Sequence, residues 1–284
     1  MASWFILISA VLFGISPILT KVAYGYGVSP LTVLAIRAAF AAVCLWVGLF
    51  FAGRRVRVSL STLASLVMLG STLLPLQVFA YFQALAYMPA SSASILGYTY
   101  PLHVAWMGWV FLRERVRRFE LFILAAILFG AVLVARQTLV LGELRGVLAI
   151  GASTLSFALY LVIARRLLQD VHPLMVMAVL LPVSAAAFCG AALTQGQLRI
   201  NIPPPALLAT LGSATLGGLL GPLLQFWGLR STAAARTAML GMLEPVVTVS
   251  LSILLLNDAM TLLRGIGIAI VMSGIVTLQL RRTE

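Results

Sequence analysis

The stretch SSASILGYTYPLHVAWMGWVFLRERVRR, Ser91–Arg118, is echoed 144 residues later as ARTAMLGMLEPVVTVSLSILLLNDAMTL, Ala235–Leu262. At that shift Leu96-Gly97 falls on Leu240-Gly241, Pro101 on Pro245, and Glu114 on Asp258. Each copy is an apolar run too long for a soluble strand, interrupted by one proline and closed by an acidic residue. The same register carries outward, matching Phe13 to Phe157, Lys21 to Arg165, Phe82 to Phe226 and Gly130 to Gly274. One unit is written twice, as residues 1–142 and 143–284, and such a repeat decides the architecture before any finer reading.

Composition fixes the solvent. Hydrophobic residues make up 62% of the chain and charged residues 9%, with a mean hydropathy of +1.10. A soluble domain carries about 25% charged residues, so this surface belongs in lipid. The net charge of +12 does not indicate nucleic acid, because most arginines stand in short links between apolar runs. Cys44 and Cys189 lie inside apolar runs and read as small buried hydrophobes. No cofactor or metal motif is present, and no GxxxxGK[ST] loop for ATP. The first apolar run lacks a basic leader and a small-residue cleavage site, so it reads as a retained span.

A bilayer core about 30 Å thick takes about 20 helical residues to cross. Ten spans fit, at about 3–22, 31–52, 62–84, 91–112, 119–136, 146–166, 173–194, 206–229, 234–256 and 262–280. Continuous apolar runs select helices over barrel strands. The fold class is therefore an all-α integral membrane protein. With the N-terminus in the cytoplasm, 13 of the 19 Lys and Arg residues fall in inner links and the tail, which places both termini inside. Five spans per unit is odd, so the second five-helix repeat is inverted relative to the first. Inverted repeats are a common plan of secondary transporters.

The pattern ALAYMPASSASILGYTYP…VFLRE at Ala84–Glu114, with GLRSTAAARTAMLGMLEP…LLLND at Gly228–Asp258, resembles the EamA family of the drug/metabolite transporter superfamily. The Glu244-Pro245 pair is similar to one frequent in that family's second repeat. The family usually has a glycine or similar residue before a glutamate at the second acidic position; Arg113-Glu114 and Asn257-Asp258 depart mildly from it. The resemblance implies a cell (inner) membrane exporter of small metabolites such as amino acids, with no enzymatic activity. It implies a cavity between the repeats lined by the first, third, fourth, sixth, eighth and ninth spans. Within the family the chain looks most like YddG-type exporters of aromatic and other hydrophobic amino acids.

An intramembrane carboxyl is expensive unless paired or facing water, so Glu244 reads as a substrate-amine or proton site, or as a structural acid bonded to neighbouring helices. Arg236, two turns earlier on the same face, is a candidate partner. Gln77 and Tyr81 share a face four residues apart, and Tyr98 and Tyr100 precede Pro101. Tyrosine joins an apolar body to a polar handle, which suits an amphipathic solute; an interface belt is the competing reading. Phe13 in the first span, Ser156 and Tyr160 in the sixth, and Gln225 and Trp227 in the eighth complete the candidate lining. Pro17, Pro75, Pro101, Pro222 and Pro245 are candidate bends. His103 reads as a packing histidine or a proton relay, and His172 as a turn residue. Lys21 and Arg165 end their spans and are expected to snorkel. Transport explains these features together. A carrier of lipid-linked or nucleotide-type metabolites is the alternative within the superfamily, and a membrane-embedded scaffold or enzyme the alternative outside it. Partners are expected to be a small-molecule substrate and the bilayer, with monomer and homodimer both open.

Overall fold

In the computed structural model, residues 2–88, 93, 96–135, 144–198, 201–256 and 260–280 are described. All regular structure among them is helical. The elements are α1 (Ala2–Gly25), α2 (Pro30–Phe51), α3 (Leu60–Met68), π1 (Leu69–Leu73), α4 (Leu74–Tyr87), α5 (Tyr100–Leu112) and α6 (Arg118–Ala135). They continue with α7 (Leu144–Asp170), α8 (Pro173–Thr194), α9 (Pro204–Ser213), π2 (Ala214–Leu220), α10 (Gly221–Arg230), α11 (Ala234–Gly241), α12 (Leu243–Leu256) and α13 (Leu262–Leu280). Eight of the resulting continuous runs are long and apolar enough to cross a membrane. The two remaining predicted spans correspond to α5, whose upstream half is only partly described, and to the 18-residue α6. The predicted sixth span, 146–166, is longer than expected, as α7 reaches Leu144 and Asp170. Asp258 lies outside the described residues.

Local chemistry starts these helices. Ser29 and Ser59 accept from the N–H groups of Thr32 and Thr62, and His172 Nδ1 accepts from Leu174 N at 3.3 Å. Each satisfies one of the orphan donors at a helix start. Pro30 and Pro173 follow at the first turn, where a missing N–H removes no bond.

The third and eighth predicted spans hold a feature their sequences did not announce. Each widens into a π turn, π1 or π2, just ahead of a proline, Pro75 or Pro222. In π1 the Leu74 N–H bonds to Leu69 O, and in π2 the Gly221 N–H bonds to Leu216 O. One step on, the donor would be the proline, which has none. The carbonyls of Gly70 and Gly217 are thereby released from the ladder. Pro101 and Pro245 instead sit in the first turn of α5 and α12, just after the turn at Tyr98-Thr99 and the break at Met242. Pro17 lies within α1, which continues on both sides of it.

Packing runs across the two halves of the chain. α1 lies against α10, π2 and α12; α2 against α8; α4 against α7; α5 against α7; and α6 against α13. Close approach depends on absent side chains. A Cβ on Gly267 would stand 2.6 Å from Gly130 O, and one on Gly130 would stand 2.9 Å from Gly267 O. Small residues let membrane helices meet backbone to backbone where lipid supplies no hydrophobic drive.

Candidate functional site

The centre of the bundle holds a partly open cavity of about 360 Å³. Its walls come from α1, α2, α4, α5, α7, α8, π2, α10, α11 and α12. Six sequence-predicted residues line it: Phe13, Gln77, Tyr100, Tyr160, Gln225 and Glu244. One wall is aromatic. The Tyr100 and Phe157 rings meet edge-on at 5.1 Å, Phe157 and Tyr160 are stacked at 6.1 Å and 13°, and Phe226 follows Tyr160 at 6.2 Å. Tyr100 Oη donates to Ala238 O at 3.2 Å, so the broken helices of the two halves are tied at the cavity edge.

Opposite charges share this space. Glu244, in the first turn of α12, and Arg37, in the middle of α2, both line it, and each acts electrostatically on the other. No contact ion pair joins them among the described residues. The Arg37 guanidinium is held by one bond from Nη2 to Gly217 O at 2.7 Å. That carbonyl is the one Pro222 leaves without a helical donor, so the irregular backbone of π2 orients the cation. Non-helical backbone at membrane depth is tolerated where it borders protein or a cavity. The carboxylate of Glu244 has no hydrogen-bond partner among the described residues; only its backbone carbonyl is engaged, by Thr248 Oγ1 at 3.1 Å. Ser184, on the wall from α8, is buried with its Oγ unpartnered among the described residues.

The structure corrects several expectations. Arg236 does not pair with Glu244: it donates to Leu278 O of α13, because the break at Met242 separates α11 from α12. Tyr81 packs with Ala84, Met88, Ala93 and Ile150. Tyr98 is not on the cavity wall but stays beside it, packed with Tyr100 in the cluster that includes Ile123 and Leu124 and acting electrostatically with Glu244. Ser156 is buried off the cavity. Trp227 turns away to meet Phe5 at 6.1 Å and His172 at 6.4 Å. His103 stands half-buried outside the cavity, with Nδ1 unpartnered among the described residues.

Arg165 does not snorkel. Its Nε pairs with Glu114 Oε1 at 3.1 Å, and its Nη1 donates to Arg230 O at 2.6 Å. The second Glu114 oxygen accepts Ala234 N at 2.8 Å, capping α11. This clamp joins the halves at the end of the bundle that holds Ser231 and the start of α1. Sequence reasoning missed Arg37 and Phe157 as lining residues. A cation in the middle of a 22-residue apolar run was the available signal for the first, and the repeat match to Phe13 for the second.

Two segments, residues 1–136 and 144–279, match the EamA-like transporter family. The chain belongs to that family. The double match coincides with the internal repeat, and with the eight apolar helices it makes this a multi-pass membrane protein of a transporter family. An uncharacterized transporter of Synechocystis sp. is 27% identical over 215 residues, covering 71% of this chain. The match spans 62% of that relative's length. A solved crystal structure of a protein superposes with a TM-score of 0.85 over 98% of each chain at 18% identity, a likeness of fold alone.

Proposed function

We propose that this EamA-family protein exports neutral amino acids with aromatic or large hydrophobic side chains, by alternating access around the central cavity. The carrying observation is one cavity that holds a guanidinium and a carboxyl on separate helices without joining them. A zwitterion would satisfy both at once: its carboxylate at Arg37, its ammonium at Glu244. The ring wall of Tyr100, Phe157 and Tyr160 would take the side chain. A volume of about 360 Å³ is at the small end for ligand sites, which suits one amino acid.

The mechanism rests on ten spans in two inverted repeats, in the cell (inner) membrane with both termini cytoplasmic. Helix pairing supports this reading. A pseudo-two-fold axis that exchanges first and sixth spans also exchanges third and eighth, so the packing of α4 on α7 corresponds to that of α10 on α1. The same operation carries α5 on α7 into α12 on α1. Alternating access then consists of one repeat rocking against the other. The Glu114–Arg165 clamp closes one end, and the bends at Pro75, Pro101, Pro222 and Pro245 absorb the motion.

The test is release of radiolabelled amino acids from proteoliposomes of the purified protein, with and without a pH gradient. Saturable release of aromatic or large neutral amino acids supports the reading; release of none of them refutes it. A second reading, a carrier of lipid-linked solutes, draws on an apolar groove of about 610 Å³ beside Pro75 that shares Val78 and Phe188 with the cavity. Release of tailed solutes but not free amino acids would select it.

A further inference from the structure

A second polar pocket, of about 510 Å³, lies at the end of the bundle where α1 begins and α13 finishes. Three guanidinium groups border it: Arg115 and Arg117 from the link between α5 and α6, and Arg236 from α11. One carboxylate, Glu120, faces them, and its Oε2 already accepts Arg117 N at 3.1 Å. Arg236 is fixed in place by its bond to Leu278 O. Arginine in such links ordinarily orients a membrane protein and remains solvated, so the charges alone do not make a site.

Ser3 supplies the independent observation. It lines this pocket, is 1% exposed, and its Oγ has no hydrogen-bond partner among the described residues. A buried hydroxyl left unpaired is costly, and a bound acceptor in the pocket would remove that cost. The ligand chemistry that accepts from serine and from several guanidiniums together is a tetrahedral oxyanion, phosphate above all. Depth adds to this. The neighbouring Trp4 is 62% exposed, and tryptophan gathers where lipid headgroups meet the hydrocarbon.

We propose that this pocket binds a phosphate group, presented either by an anionic phospholipid or by a free phosphate. Its position between both halves would stabilise the conformation in which the Glu114–Arg165 clamp is closed. The proposal does not depend on the substrate of the central cavity.

Native mass spectrometry would compare retention of phosphatidylglycerol and phosphatidylcholine by the purified protein, alongside thermal unfolding in inorganic phosphate against chloride at matched ionic strength. Preferential retention of phosphatidylglycerol, reduced about tenfold in Arg115→Gln/Arg117→Gln and several-fold in Ser3→Ala, assigns a lipid phosphate. Stabilisation by inorganic phosphate without a lipid preference, lost in the same variants, assigns a free phosphate. Arg54→Gln/Arg57→Gln removes equal charge elsewhere and should change neither readout. Equal retention of both lipids with no phosphate effect overturns the proposal. So does a preference that the Arg115/Arg117 variant keeps or that the Arg54/Arg57 variant equally loses.

Discussion

Replacing Gly217 with alanine tests how tightly the two halves are joined beside Arg37. The new Cβ would stand 2.4 Å from Ser16 Oγ, 2.6 Å from Ser16 Cβ and 2.8 Å from Arg37 Nη2. Carbon contacts are optimal at about 3.5–4.0 Å, so the methyl intrudes by roughly an ångström. Overpacking of this kind costs about 1–3 kcal/mol, while alanine in a helix gains up to about 1 kcal/mol over glycine. A net loss of about 1–2 kcal/mol is expected, together with impaired transport because Arg37 is displaced from Gly217 O. Ser16→Gly should itself cost about 1–2 kcal/mol, since it removes the 2.7 Å bond between Ser16 and Ser213 and puts glycine in a helix. In the double variant the methyl occupies the space Ser16 vacates. The double variant should therefore be more stable than the sum of the singles by about 1 kcal/mol or more. Reversible unfolding by SDS titration in mixed micelles reads these differences. A Gly217→Ala variant as stable as the parent, or strictly additive effects, would refute the packing argument.

The clamp and its approach give two further outcomes. Glu114→Ala leaves Ala234 N–H unpaired and Arg165 with only its bond to Arg230 O, and should lower stability by about 2 kcal/mol; Glu114→Gln, which keeps an acceptor, should lose about half of that in the same titration. Arg113 is the one non-glycine residue with positive φ among the described residues, at 55°, so Arg113→Gly should be neutral or stabilising by about 1 kcal/mol. His172 gives a pH effect. Burial, then Arg230 and Arg54, push its pKa below the usual 6.5, so the unfolded chain binds its proton first and stability rises with pH through this window. Thermal stability should be full above about pH 6.5 and fall as pH drops through the folded value; His172→Asn, which can still cap α8, should flatten the fall.

Most of the architecture was legible because its causes are local in the sequence. Apolar run length sets a span, a shift of 144 pairs one half with the other, and Ser29 or Pro173 marks a helix start. The π turns were not legible: Pro75 and Pro222 announce a lost donor, but whether the helix kinks or widens depends on what packs there. In π2 it is Ser16 and Arg37 against Gly217. Helical spacing likewise put Arg236 beside Glu244, and the break at Met242, a tertiary choice, took it to Leu278. The left-handed backbone of Arg113, where a glycine would be unstrained, swings Glu114 beneath α11, and nothing in the local pattern of the link announces it. Six of the ten candidate lining residues, polar and aromatic ones within spans, do line the cavity. Tyr81 and Trp227 share that chemistry yet pack elsewhere, because a face in sequence does not say which neighbour it meets.

The central claim is that Arg37 and Glu244 hold the two ends of one zwitterion. Its most direct test is competition for binding of radiolabelled phenylalanine to the purified protein by phenylalanine, its amide and its N-acetyl derivative. Unmodified phenylalanine should compete at least tenfold better than either derivative. Arg37→Gln should erase discrimination against the amide, and Glu244→Gln discrimination against the N-acetyl form. Equal competition by all three, or discrimination unchanged in both variants, would contradict the account.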